Sequence, residues 1–167
     1  MITVDPNLRG CGVARWVNGV LQRAEYVKNP HTEGRGYKVI VDLAEAVHES
    51  TCFKFGGRED EILIEMPRVY PGMPKTDLND LLDVMGVGAA VAAKRWAFVQ
   101  HVFPSEWKGT MKKQAMLERI RSKLSPEELA RCEFTNKSDN EDILDAIGIG
   151  LWKLGRLSTK GYPGAVP

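Results

Sequence analysis

The chain opens with short apolar runs separated by turn residues. Residues 2–5 (ITVD), 11–18 (CGVARWVN) and 20–27 (VLQRAEYV) have the length and composition of three successive strands. Pro6-Asn7 with Gly10 marks the first joint, and Asn18-Gly19, a strong tight-hairpin signal, marks the second. After a loop over 28–36, the apolar spacing of VIVDLAEAVHES from Val39 becomes helical, and Gly56-Gly57 breaks it. EILIEMP at 61–67 reads as a strand closed by Pro67. A loop at 70–76, a long helical stretch over 77–95 and a strand around 97–103 stopped by Pro104 follow. Helical spacing returns over Thr110–Lys123, in a short SPEEL start at 125–129 and in a last helix from about Ser138. Beyond Arg156 periodicity is lost, and the tail 157–167 is expected to be loosely ordered. Three strands in meander, then alternating helices and strands, predict an α/β fold with a mixed sheet.

The same periodicity singles out carboxylates. In the first strand Ile2 and Val4 share one face and Thr3 and Asp5 the other; in the fourth, Ile62 and Ile64 oppose Leu63 and Glu65. Both strands thus end in an acid at the C-terminal edge, where open α/β sheets bind ligands. If the strands are neighbours, Asp5 and Glu65 face each other across the sheet. In the last helix, Ser138 and Glu141 have capping-box spacing, and Asp142 and Asp145, three apart, project from one side. Gly148 and Gly150 each cost about 1 kcal/mol relative to alanine, which predicts a close approach, most simply to the sheet. Taken singly, Asp5 and Glu65 read more readily as strand-end caps and Asp142 as a helix N-terminal charge. Gathered together, such groups repel unless a divalent cation compensates them, and hard oxygen ligands suit Mg²⁺ or Mn²⁺.

Composition narrows the class without naming a function. With 167 residues, 43% hydrophobic and 27% charged, the chain suits one compact globular domain and not a disordered or fibrous protein. Cys11, Cys52 and Cys132 are widely spaced and never form a CxxC pair, which argues against a disulfide framework or thiolate zinc site and for a reducing compartment. No signal peptide opens the sequence, and the longest apolar run, Val84–Ala93, is too short to span a bilayer. A cytoplasmic protein with no membrane partner is expected. The net charge of +1 hides an asymmetry: eight basic against two acidic residues between Lys94 and Lys123 give that segment a local excess of six positive charges. Such a segment can bind phosphates even when the total is near zero, though charge runs alone fit a solvated helix face equally well.

Three separated motifs, ITVDPNLRGCGVA, ILIEMP and DILDAIGIGLWKLGR, resemble in order and spacing the RuvC family of Holliday-junction resolvases, in the ribonuclease H-like superfamily. The resemblance covers roughly residues 2–156, so that 1–156 would form the nuclease domain. It implies a ribonuclease H-like fold whose five-stranded sheet has three antiparallel strands followed by two parallel ones, flanked by helices. It further implies that Asp5, Glu65, Asp142 and Asp145 are catalytic ligands of two Mg²⁺ or Mn²⁺ ions, and that Lys108 and Lys113 assist them, with Lys112 as the alternative to Lys113. The expected substrate is a four-way DNA junction, cut by paired symmetric nicks. DNA contacts are implied for Lys108, Lys112 and Lys113 and for the loop RVYPGMPKT, carrying Arg68, Tyr70 and Lys75, with Tyr70 able to stack on an unpaired base or simply to lie on the surface. LLDVMGVGAAVAAKRW at 81–96 is implied as a homodimer interface, ordinary packing on the sheet being the other reading. Asn7 stands where the family usually has glycine; asparagine tolerates left-handed backbone, so the turn could survive there. PSEWKG at 104–109 and GIGLWKLGR look more like phage-encoded members, which would place the protein in a host cytoplasm. His48 and His101 fit no zinc spacing and read as structural. Rival readings are a related nuclease of RNA, hybrids or other branched DNA, a non-catalytic junction-binding module, and a nucleotide-binding protein using DPNLRGCG as a phosphate turn.

Overall fold

The structure, a computed structural model, describes residues 1–31, 36–52, 61–67, 72–94 and 98–158. Strands β1 (Ile2–Asn7), β2 (Gly10–Val17) and β3 (Val20–Lys28) are followed by α1 (Tyr37–Cys52), β4 (Glu61–Glu65), α2 (Lys75–Lys94) and β5 (Phe98–Val102). Helices α3 (Pro104–Trp107), α4 (Lys113–Ser122), α5 (Pro126–Leu129) and α6 (Lys137–Lys153) complete the fold. The five strands form one sheet in the order β3-β2-β1-β4-β5. The meander β1–β2–β3 is antiparallel, whereas β4 pairs in parallel with both β1 and β5. This is the expected mixed sheet.

Alternation along the strands splits the core into two layers. Ile2, Val4, Ile62 and Ile64 pack with Leu43, Val47, Val87 and Val91 of α1 and α2. Ala14, Trp16 and Leu63 pack on the opposite face with Trp107, Ile120 and the buried run of α6. Asn18 (φ 50) and Gly19 (φ 78) make the tight β2–β3 turn that their sequence announces.

Several boundaries depart from expectation. The first strand does not stop at Asp5: Pro6 pairs with Cys11 and Asn7 with Gly10, and the turn falls at Leu8-Arg9. Met1 and Trp16 exchange both backbone hydrogen bonds (2.9 and 3.2 Å), so the alternation makes Pro6–Cys11 a pair without ladder bonds. The N–H that proline lacks would therefore point away from β2, towards the side where β4 pairing has ended at Val4. Asn7 is extended strand and not left-handed. Helical spacing from Thr110 begins as a helix only at Lys113, and the short α3, opened by Pro104, precedes it. Helix α6 starts at Lys137 rather than Ser138 because Asn136 is its cap, accepting from the Asp139 N–H at 3.1 Å; Ser138 lies inside the first turn. Past Arg156 the chain is still packed, since Leu157 is buried and the Ser158 carbonyl accepts from Arg119 at 2.8 Å. Residues 159–167 lie outside the described ones.

Candidate active site

The parallel pairing of β1 with β4 ends at Val4–Ile64, so Asp5 and Glu65, one residue further on, come side by side at that C-terminal edge while still paired outwards with Gly12 of β2 and Val102 of β5. Asp142 and Asp145 come to the same edge on α6. Three features seat that helix. Thr3, on the same strand face as Asp5, donates its hydroxyl to the Ala146 carbonyl at 2.7 Å and accepts from the Trp16 indole at 3.2 Å. Gly12, the β2 partner of Asp5, has no side chain where a Cβ would lie only 1.9 Å from the Asp142 carbonyl oxygen. The helical glycines fit neighbours on both sides: Gly150 lies against Trp16 of the sheet, as anticipated, while Gly148 lies against Trp107 and Ile120 instead.

The tryptophan at that contact does more than fill space. Its indole N–H donates to Glu65 at 2.6 Å, and the next residue, Lys108, reaches Asp145 at 2.8 Å and Glu65 at 3.4 Å. Helix α3 fixes both side chains: Glu106 turns back to accept from the Phe103 N–H at 2.6 Å, and Pro104 starts the turn. The PSEWKG segment is thus the clamp that orders Glu65 and carries a cation into the acid cluster.

The electrostatics match crowded like charges. Burial, with repulsion from Glu65 and Asp145, holds the Asp5 carboxyl well above the usual range despite the attraction of Lys108. Glu65 is raised mainly by burial and then by Asp145, with Lys108 and the Trp107 bond opposing. Burial and Asp145 push Asp142 up to about 6, and the Asn7 amide, donating to its carboxylate, moderates that rise. Asn7 therefore serves Asp142 and not a left-handed turn. Lys108 stays protonated because the attraction of Asp145, Glu65 and Asp5 outweighs its burial. Four carboxylates with one ammonium among them leave an excess of negative charge, and their hard oxygens are of the kind that Mg²⁺ or Mn²⁺ takes. Among the described residues, no three His, Cys, Asp or Glu side chains already stand as a cation cage.

The other residues singled out from the sequence are placed more loosely. Lys113 pairs with Glu141 at 2.7 Å, and the charges of Asp145 and Asp142 also raise it. Lys112, the residue before α4, is exposed and takes no part in an ion pair among the described residues. Elsewhere in the basic segment Arg119 is tied to the Ser158 carbonyl, Arg121 lies 5.7 Å from the Phe134 ring centroid, and Lys123 is exposed. Arg68 and Tyr70 lie outside the described residues, and Lys75 is the first residue of α2. Sequence reasoning did not assign Thr3, Gly12 or Trp107 a task; the only local hint was a threonine on the Asp5 face and a glycine-rich stretch after it.

No protein-family model and no curated protein matches the sequence. Solved structures do. RuvC of T. thermophilus in complex with a Holliday junction substrate aligns over 95% of this chain and 98% of its own, with TM-score 0.62 and 18% identity. Thermus thermophilus RuvC alone gives TM-score 0.57 and 17% identity over 95% and 99% of the two chains. The yeast mitochondrial Holliday junction resolvase Ydc2 gives TM-score 0.60 and 13% identity over 93% of this chain and 77% of that one. At such identities the likeness establishes the fold alone: the α/β architecture with a mixed five-stranded sheet expected from the sequence is the observed one.

Proposed function

We propose that the chain is a metal-dependent endodeoxyribonuclease that resolves four-way DNA junctions by paired symmetric nicks. One observation carries this reading above the rest. Four acids from β1, β4 and α6 meet at one sheet edge under a burial and repulsion that raise three of them together. A structural role gives no reason to assemble such a cluster. The shared fold with two resolvases, one of them solved with a Holliday junction, supports this substrate class.

Asp5, Glu65, Asp142 and Asp145 would hold two Mg²⁺ or Mn²⁺ ions, which when bound supply an activated water and charge compensation at the scissile phosphate. Trp107 holds Glu65 in place for this task. The Lys108 side chain is 25% open to solvent and already points into the cluster, so its ammonium can pair with a phosphate oxygen there. Lys113, tethered to Glu141, lies near enough to Asp142 to guide the incoming strand. Binding to the rest of the DNA would come from phosphate contacts and weaken steeply with salt. A two-fold dimer suits the two equivalent strands of a junction. Helix α2 turns Val87, Gly88 and Val91 to the core and leaves Leu82, Ala89 and Ala93 exposed along one stripe, which a second copy could cover; light scattering of the protein alone reads this.

The deciding experiment compares cleavage of a four-way junction, a duplex, a flap and an RNA–DNA hybrid in Mg²⁺ or Mn²⁺, with wild type and Asp145→Asn. Symmetric nicks confined to the junction, lost in the folded and junction-binding variant, support the reading. Preference for the hybrid moves the assignment to a broader nuclease, and binding without cleavage by the wild type makes the chain a non-catalytic module.

A further inference from the structure

A cleft of about 310 Å³ lies against the outer side of Asp142, between the end of the β-meander and the first turn of α6. Arg9 from the β1–β2 turn, Lys28 from the end of β3 and the ring of Tyr26 line it, with Asn7 and Ser138 beside them. Among the described residues neither Arg9 nor Lys28 forms an ion pair, whereas Arg23, Lys108, Lys113, Lys153 and Arg156 each have a carboxylate partner. Two cations without an ion-pair partner on one wall attract an anion, with Asp139 and Asp142 of the same lining opposing.

The wall is built and not merely exposed. Asn29, 3% exposed, donates its backbone N–H to the Arg9 carbonyl at 2.9 Å and its amide to the Leu8 carbonyl at 2.8 Å, which fixes the turn that carries Arg9. Tyr26 lies across Gly10, where a Cβ would meet the ring at 2.5 Å, so the phenol is held at the cleft as a hydroxyl donor. Two acids share the lining. The Asp139 carboxylate accepts from Asn136 at 2.7 Å and Thr135 at 3.2 Å, and Asp142 accepts from Asn7, so both are engaged at the α6 side and leave the Arg9–Lys28 side to a ligand.

We propose that this cleft is a phosphodiester subsite that receives the backbone phosphate of a DNA strand neighbouring the one presented to the acid cluster, with Arg9 and Lys28 supplying charge and Tyr26 a hydrogen bond. The proposal rests on the nuclease reading, because Asp142 forms the wall common to cleft and cluster and a strand passing the cluster continues into the cleft.

The test measures junction binding against KCl concentration, with Ca²⁺ in place of the cleavage-supporting cation, for wild type and Arg9→Gln/Lys28→Gln. One lost phosphate contact should weaken binding roughly tenfold and flatten the log Kd against log[KCl] slope by about 0.9. The melting temperature should stay unchanged, since both residues are exposed and neither forms an ion pair among the described residues. Arg9→Lys/Lys28→Arg should restore the slope. An unaltered affinity and slope in the glutamine variant, with wild type still cutting junctions, overturns the subsite and leaves the function intact. A wild type that neither binds nor cuts junctions overturns the nuclease reading itself. A deoxynucleoside monophosphate that binds wild type, is lost in the glutamine variant and leaves junction affinity untouched would make the cleft a free-nucleotide site and overturn the strand proposal.

Discussion

Carboxylates that raise one another store repulsion in the fold, and two consequences follow at the level of single residues. Asp5 has its carboxyl held above the unfolded value by burial, Glu65 and Asp145, so ionising it opposes folding. The neutral isostere Asp5→Asn should therefore raise the melting temperature of metal-free protein by about 2–4 °C, while removing both cleavage and the stabilisation by Mn²⁺. A thermal melt with and without Mn²⁺ checks this, and a lower metal-free melting point would contradict it. Asp142 gives the pH dependence. Its folded value of about 6 stands above the ordinary 3.8, so between these the folded chain binds more protons than the unfolded one. Metal-free stability should fall as pH rises through that window, and Mn²⁺ affinity should fall as pH drops below about 6 because the proton competes with the cation. Titration calorimetry at pH 5 and pH 8 reads the second effect directly.

The position of those residues is a property of elements, above all of how closely α6 lies on β2. Gly12→Ala would drive a methyl group into the Asp142 carbonyl, backbone against backbone, and neither element can yield without moving the other. A loss of about 2–4 kcal/mol and of Mn²⁺ binding is expected. Gly86→Ala is the control: its nearest neighbour is the flexible tip of Ile40 at 3.1 Å, and alanine gains helix propensity there, so denaturant melts should show little net change. This contrast also marks what the sequence could tell. The period of two placed Asp5 and Glu65 on matching edges, and the three-residue spacing of Asp142 and Asp145 gave their common side, because both patterns are local. The service of Gly12, Thr3 and Trp107 to the site is decided by contacts with residues far along the chain, and a glycine in a strand reads alike whether it meets a helix or solvent. The late start of α4 and the Asn136 cap were missed for a related reason: helical spacing alone locates neither start, since the Asn136 side chain sets that of α6 and no side chain caps α4.

At the scale of the whole molecule, one ion pair between a buried carboxylate and a partly exposed guanidinium ties the end of α6 to the elements packed around it. Arg156 donates to both oxygens of Glu128 at 2.7 and 2.6 Å, to the Gly19 carbonyl at 3.1 Å and to the Lys123 carbonyl at 2.8 Å. Glu128 in turn accepts from the Leu21 N–H at 3.0 Å and caps α5, so the hairpin, the α4–α5 joint and α6 share a single knot. The sequence reading ended the domain at Arg156 without giving that residue this part. The Arg156 bond, aided by the Leu21 and Ser125 N–H groups, holds Glu128 at about 2 against an ordinary 4.5. A carboxylate held below its unfolded value stabilises the fold only while ionised. Its contribution, on the order of 2 kcal/mol after allowing for the partly exposed guanidinium, should be full above about pH 4.5 and vanish as pH falls towards 2. Arg156→Met leaves Glu128 buried without its partner, and a loss of about 3–5 kcal/mol at neutral pH is expected. Because the unpaired carboxyl then favours its proton, the variant should lose less stability than wild type between pH 4.5 and 2. Urea unfolding of both proteins across that range measures the difference, and parallel acid curves would show that the knot is not held by charge.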